Sequence, residues 1–265
     1  MRCRTSSACS WAQLYARFPR EKEDEKQFQK GLRDVDVWFA NSLTFKVLLG
    51  YLPEYQGRGW PTFENIISKA ISDSSHVIDV PGARDQEWAA VRDAKDIAAV
   101  CGSRRNILPM SPAEFEVIIA SKAFGTEDDC AFLKSKYAST YNEVVRPRDV
   151  FEFPTMGDGI AAHQWEKFFR EILPDCRHLL RLDLRDNPKT CKVDVAQFAV
   201  PFVSEALAHL QELNLSNTAM YGDIVHLAKL RRIRKMNLQG LENLTGDVAS
   251  MSRLIEMREL VLSGC

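Results

Sequence analysis

The residue best placed for chemistry is Glu64, in the run WPTFENIISKAI over 60–71. Pro61 suits the first position of a helix, where its missing N–H costs nothing. On that helix Trp60, Glu64, Ile67 and Ile71 stand at i, i+4, i+7 and i+11 and share one stripe. A carboxylate then sits among apolar neighbours in a first turn. Burial raises the pKa of such a group and the helix N-terminus lowers it. It could serve as a catalytic carboxylate, or simply satisfy the free N–H groups of a helix start. The seven cysteines (3, 9, 101, 130, 176, 191 and 265) are odd in number and include no C-x-x-C pair. That usage favours reduced thiols in an intracellular compartment. Cys130 has no base near it in sequence and reads as a small core residue. The five histidines are scattered without zinc-ligand spacing, so no metal site and no cofactor is expected.

A second group of chemistry-bearing residues repeats near the C-terminus. LLRLDLRDN (179–187), LQELNLSNT (210–218), IRKMNLQGL (233–241) and MRELVLSGC (257–265) share L-x-x-L-x-L-x-x-N spacing. Aligned on Leu182, Leu213, Met236 and Leu260, the period settles at 23–24 residues after a first interval of 31. Gly222/Gly246, Asp223/Asp247 and Leu230/Leu254 repeat between the copies. The pattern resembles a leucine-rich repeat, which implies stacked units sharing one core and presenting a concave face. Three polar columns would line that face. They are Arg181, Glu212, Lys235, Glu259; then Asp183, Asn214, Asn237, Val261; then Arg185, Ser216, Gln239, Ser263. The first alternates in sign. It reads either as a surface for a protein partner or as a ladder that satisfies itself.

Several elements must position these groups. Residues 21–33 read as an amphipathic helix, and 35–40 and 44–50 as strands. With a strand at 75–80, the helix carrying Glu64 completes a β-α-β unit with a parallel crossover. Helices follow at 85–101, 111–124 and 126–144, the last two opening on Ser111/Glu114 and Thr126/Asp129 as capping boxes. Cys130, Leu133, Tyr137 and Tyr141 line the inner face of the third. The Pro- and Gly-rich stretch 146–160 reads as a linker. The helix from Ala161 buries Trp165, Phe168, Phe169 and Ile172 and is expected to cap the repeat array. Pro201 starts or kinks a helix within 196–210, and the basic run HLAKLRRIRK (226–235) reads as a solvated edge.

The arrangement strand, loop, W-x-x-x-E is similar to the corresponding segment of Toll/interleukin-receptor (TIR) domains and of the TIR-like fungal heterokaryon-incompatibility domains. In NAD-cleaving members of that superfamily this Glu is catalytic. The resemblance therefore implies that role for Glu64, with Trp60 as its packing partner and NAD as substrate. Pro61 stands where the TIR segment has Cys, and no phosphate-cradling glycine loop appears. Residues 11–145 also resemble an uncharacterised family of unicellular-algal proteins through Tyr55-Gln56-Gly57-Arg58-Gly59-Trp60-Pro61-Thr62-Phe63-Glu64. Phe18-Pro19-Arg20 and Trp38-Phe39-Ala40 match that family upstream.

Composition sets the frame. The chain has 265 residues, 45% hydrophobic and 27% charged, with net charge −1. Nothing there favours nucleic acid or an anionic membrane as partner. No apolar run is long enough to span a bilayer, and the N-terminus lacks the apolar core of a signal peptide. The expected location is cytoplasmic. The fold class is α/β: a small, shortened TIR-like parallel-sheet module over 1–145, the linker, then about four leucine-rich repeats over 161–265. The last copy ends at Cys265 on a strand, which reads as a piece of a longer protein. The favoured function is protein recognition or scaffolding in signalling through the repeat face, and the alternative is a NAD glycohydrolase using Glu64.

Overall fold

The computed structural model describes residues 22–34, 38–41, 44, 46–48, 57–71, 77–79, 92, 107–156 and 160–264. The helix expected at 85–101 lies outside them, Arg92 apart, as do 1–21. Helix α1 (Lys22–Arg33) covers the expected amphipathic run. β1 (Lys46–Leu48) and β2 (Val77–Asp79) pair in parallel, Lys46 opposite Val77, with α2 (Gly59–Ile71) in the crossover. The strand expected at 35–40 is not seen where that run is described, since Trp38 and Phe39 have helical backbone. Trp38 and Ala40 would share one strand face, yet one is 45% exposed and the other 8%.

Helix α3 (Pro112–Ala120) is capped as expected by Ser111, whose Oγ accepts the Glu114 N–H at 3.3 Å. The reciprocal half of the capping box is absent, because the Glu114 carboxylate pairs with Lys167 at 2.6 Å instead. Helix α4 (Glu127–Thr140) makes no side-chain cap through Thr126, and runs on into a π-helical turn, Tyr141–Val145. Phe63, Ile67, Phe115, Ile119 and Leu133 are wholly buried where α2, α3 and α4 meet, and Phe115 stacks on Tyr137 at 4.0 Å. From Ile66 to Ala70 α2 is buried on every side, which marks it as a core helix.

The larger sheet is five-stranded and parallel, in the order β3-β4-β5-β7-β9. Its strands are β3 (Val150–Glu152), β4 (Arg181–Asp183), β5 (Glu212–Asn214), β7 (Lys235–Asn237) and β9 (Glu259–Val261). β6 (Tyr221–Asp223) and β8 (Asn243–Thr245) form a small parallel sheet of their own. Leu182, Leu213, Met236 and Leu260 are in register, so the four sequence copies are neighbours in space. Three-residue strands bury little alone, and their stability comes from columns of apolar side chains shared down the stack.

The sheet begins one strand earlier than the copies do. β3 lies inside the stretch read as a linker, with Phe151 opposite Leu182. Phe151, Phe153 and Met156 precede Leu182, Leu184 and Asn187 by 31 positions, the same interval as Leu182 to Leu213. Asn187 joins the two units: its Nδ2 donates to the carbonyls of Phe153, Leu184 and Arg185 at 2.9, 2.8 and 3.0 Å. Its Oδ1 accepts the Met156 N–H at 2.8 Å. α5 (Ala162–Lys167) and the π-helical turn after it, Phe168–Ile172, connect β3 to β4. Trp165, Phe168, Phe169 and Ile172 are buried as expected. Phe168, in that π-helical turn, meets Phe151 and Phe153 at 5.7 and 5.4 Å, so this connection packs against β3, the first strand of the sheet.

The return legs repeat as well. 3-10 turns Val195–Ala199, Ile224–Lys229 and Val248–Arg253 follow Asp194, Asp223 and Asp247. Each aspartate Oδ1 accepts the N–H two residues on, at 2.8, 2.9 and 2.8 Å. Gly222 and Gly246 stack on the preceding aspartate with φ of 110° and 101°. A Cβ there would come within 2.4 and 2.2 Å of Asp194 Oδ1 and Asp223 Oδ1, so only glycine fits. Pro201 divides the run 196–210, opening α6 (Pro201–Ala206) where its fixed φ suits a first turn.

Candidate functional sites: the sheet face and Glu64

The first polar column is an ion-pair ladder. Arg181 reaches Glu152 at 3.0 Å and Glu212 at 3.6 Å, and Lys235 reaches Glu212 at 3.3 Å. These side chains keep between 39% and 58% exposure, so the ladder is wet and each pair contributes little stability. Glu259 extends the column and is exposed. Glu152 was not among the residues expected on this face, and the signal for it was the spacing of Phe151 and Phe153.

The second column does structural work. Asp183 Oδ1 accepts the Arg185 N–H at 3.1 Å, and Asn214 and Asn237 accept from Ser216 and Gln239 at 3.1 and 3.0 Å. Each side chain thus closes the turn after its own strand, as Asx residues do. Asp183 is only 2% exposed, beneath the Arg185 guanidinium at 3.4 Å. Burial pushes its carboxyl up, against the pull of the Arg185 N–H and guanidinium. In the third column Ser216 is buried and donates to Asn214 Oδ1 at 2.8 Å, whereas Arg185 and Gln239 stand exposed. The face therefore offers Arg181, Arg185, Glu212, Lys235, Gln239 and Glu259 to solvent, while Asp183, Asn214, Ser216 and Asn237 hold its turns.

Glu64 lies in a different setting from the one expected. α2 starts at Gly59, which puts Glu64 in the second turn, beyond the free N–H groups. Burial is the cause that moves its carboxyl, and it rises from 4.5 to about 7. Among the described residues none forms a hydrogen bond or ion pair with it. Trp60 donates its indole N–H to Asp129 Oδ2 at 3.1 Å and packs its ring 5.9 Å from Phe132, which turns it toward α4. Ser68, one turn beyond Glu64, is fully buried, and its hydroxyl has no hydrogen-bond partner among the described residues.

Burial pushes the thiols of Cys176 and Cys191 up to about 12, which leaves them protonated and unreactive. Among the described residues no group of three or more His, Cys, Asp or Glu could hold a metal ion. No described helix is long and apolar enough to cross a membrane. No protein-family model matches the chain, and no significant match was found among curated proteins or solved structures.

Proposed function

We propose that the C-terminal sheet and its return legs form a leucine-rich-repeat solenoid that recognises a protein partner through the exposed sheet face. The observation that carries this reading is the register. Four sequence copies stack strand on strand and bring charged and amide side chains into one continuous solvent-facing array. Such a face suits a partner with complementary charges, which supply specificity and association rate more than raw affinity. The α/β unit before it, read as a TIR-like module, would serve signalling or assembly. The test is capture from an extract of the source cells with the wild-type chain and with Lys235→Glu/Gln239→Arg. Proteins held by the first and lost by the second support the reading, and an unchanged set opposes it.

One observation favours a second reading, NAD cleavage. A half-buried carboxyl near neutral pKa on the crossover helix of a β-α-β unit is the kind of group that does chemistry. Glu64 would then stabilise a developing ribosyl cation in its ionised form. Nicotinamide release from NAD that disappears in Glu64→Ala would establish it, and no release from folded protein would end it.

A further inference from the structure

The turns that lead into the strands form a surface distinct from the sheet face. Backbone bonds hold them in register: the N–H groups of Gln211, Arg234 and Arg258 donate to Leu180, Gln211 and Arg234 carbonyls at 2.8, 2.7 and 2.8 Å. Arg231 and Ile255 consequently fall in one column, and His209, Arg232 and Glu256 in the next. Arg232 Nη1 lies 3.0 Å from His209 Nδ1, which fixes that second column directly. The leading turns 207–211, 230–234 and 254–258 carry four arginines against one acid, Glu256, which pairs with Arg234 at 3.6 Å. The trailing segments 217–223 and 240–247, which include β6 and β8, carry Asp223, Glu242 and Asp247 and no Lys or Arg. The two rims of these units are thus oppositely charged although the whole chain is close to neutral. On the last of these leading turns, beside Arg258, stands Ile255, 90% exposed.

We infer that this basic rim docks an acidic peptide segment carrying an apolar residue. Guanidinium forks match carboxylates two bonds at a time, and arginine is the charged residue enriched in protein interfaces. Ile255 supplies the apolar contact that a purely ionic strip lacks. The leading turns hold no Phe, Tyr or Trp on which bases could stack, and Glu256 would interrupt a continuous phosphate backbone. This surface is independent of the sheet-face reading, since its residues lie before the strands.

The test is fluorescence anisotropy of the full chain with a fluorescein-labelled peptide of glutamates and two leucines, roughly eight residues long. Saturable binding at about 50 mM salt that weakens at about 150 mM is expected. Arg231→Glu/Arg232→Glu should weaken it about tenfold and Ile255→Ser about threefold, while Glu242→Lys on the opposite rim should not. Circular dichroism and melting of these exposed-site variants check that they fold, and Arg258→Glu repeats the charge test at another site. Absent binding, or binding indifferent to these reversals, overturns the inference. So does tighter binding of an oligothymidylate or of phosphatidylserine vesicles, and so does self-association that the same reversals abolish.

Discussion

A carboxyl lifted from 4.5 to about 7 by burial makes folding depend on pH at a single residue, Glu64. Below about pH 4.5 it is protonated in folded and unfolded chains alike and costs nothing. Between there and about pH 7 the unfolded chain ionises first, so the folded state loses stability. Above that the penalty is constant at about 3 kcal/mol. Glu64→Gln should match wild type near pH 4.5 and exceed it by about that amount at pH 8 in urea unfolding. Equal stability at both pH values would mean the carboxyl is not desolvated. The sequence made the residue and its apolar stripe visible, but placed it in a first turn. The helix begins earlier because Gly59 donates its N–H to Ala123, and Ala123 donates to Gly57, at 3.0 and 2.8 Å. A contact between segments so far apart leaves no mark in local spacing. Asn187 is the opposite case, a repeat-defining residue whose purpose is readable only in space. Asn187→Ala takes the side-chain bonds from the Met156 N–H and from the Phe153 and Leu184 carbonyls, while the Arg185 carbonyl keeps the Thr155 N–H, and should cost about 2–4 kcal/mol by chemical denaturation. A cost within about 0.5 kcal/mol would show that water replaces it.

At the scale of elements, the return legs are fixed by aspartate and glycine acting across units. Gly246→Ala would place a methyl group against the Asp223 carboxylate at a φ of 101°, and should cost about 2 kcal/mol or more. Asp223→Ala alone should cost about 1 kcal/mol through its lost cap. Because the second change removes what the first collides with, the double variant should lose less than the two costs together, by about 1 kcal/mol in a thermodynamic cycle. Strict additivity would show that the two residues do not touch in solution. Gly222, Gly246, Asp223 and Asp247 were legible as repeated letters. Asp194 was not, since Val193 stands where the later units have glycine. β3 was hidden for a similar reason. Phe151 and Phe153 fill leucine positions, and Pro154 with the glycines after it gives the stretch a linker's composition. The aromatic layer they form with Phe168 is a tertiary fact.

For the whole molecule, the parallel stack and the α/β class were readable because a periodic sequence makes its neighbours in space the same as its neighbours in the repeat. The candidate face was legible only in outline: the columns were in the sequence, but which side chains are spent on turns and which remain free was not. Asp183, Asn214, Ser216 and Asn237 hold the turns, and the charged row beside them stays exposed to solvent. A site-specific photocrosslinking experiment tests that assignment most directly. A photoreactive phenylalanine derivative would be placed at Gln239 or Glu259 on the sheet face and, in separate chains, at Val225 or Ala249 on the return legs, all exposed positions. In extract of the source cells, a discrete crosslinked protein is expected from the sheet-face positions, abolished by Lys235→Glu, and none from the return legs. Crosslinks confined to the return legs, or none from the face of a folded chain, would contradict it.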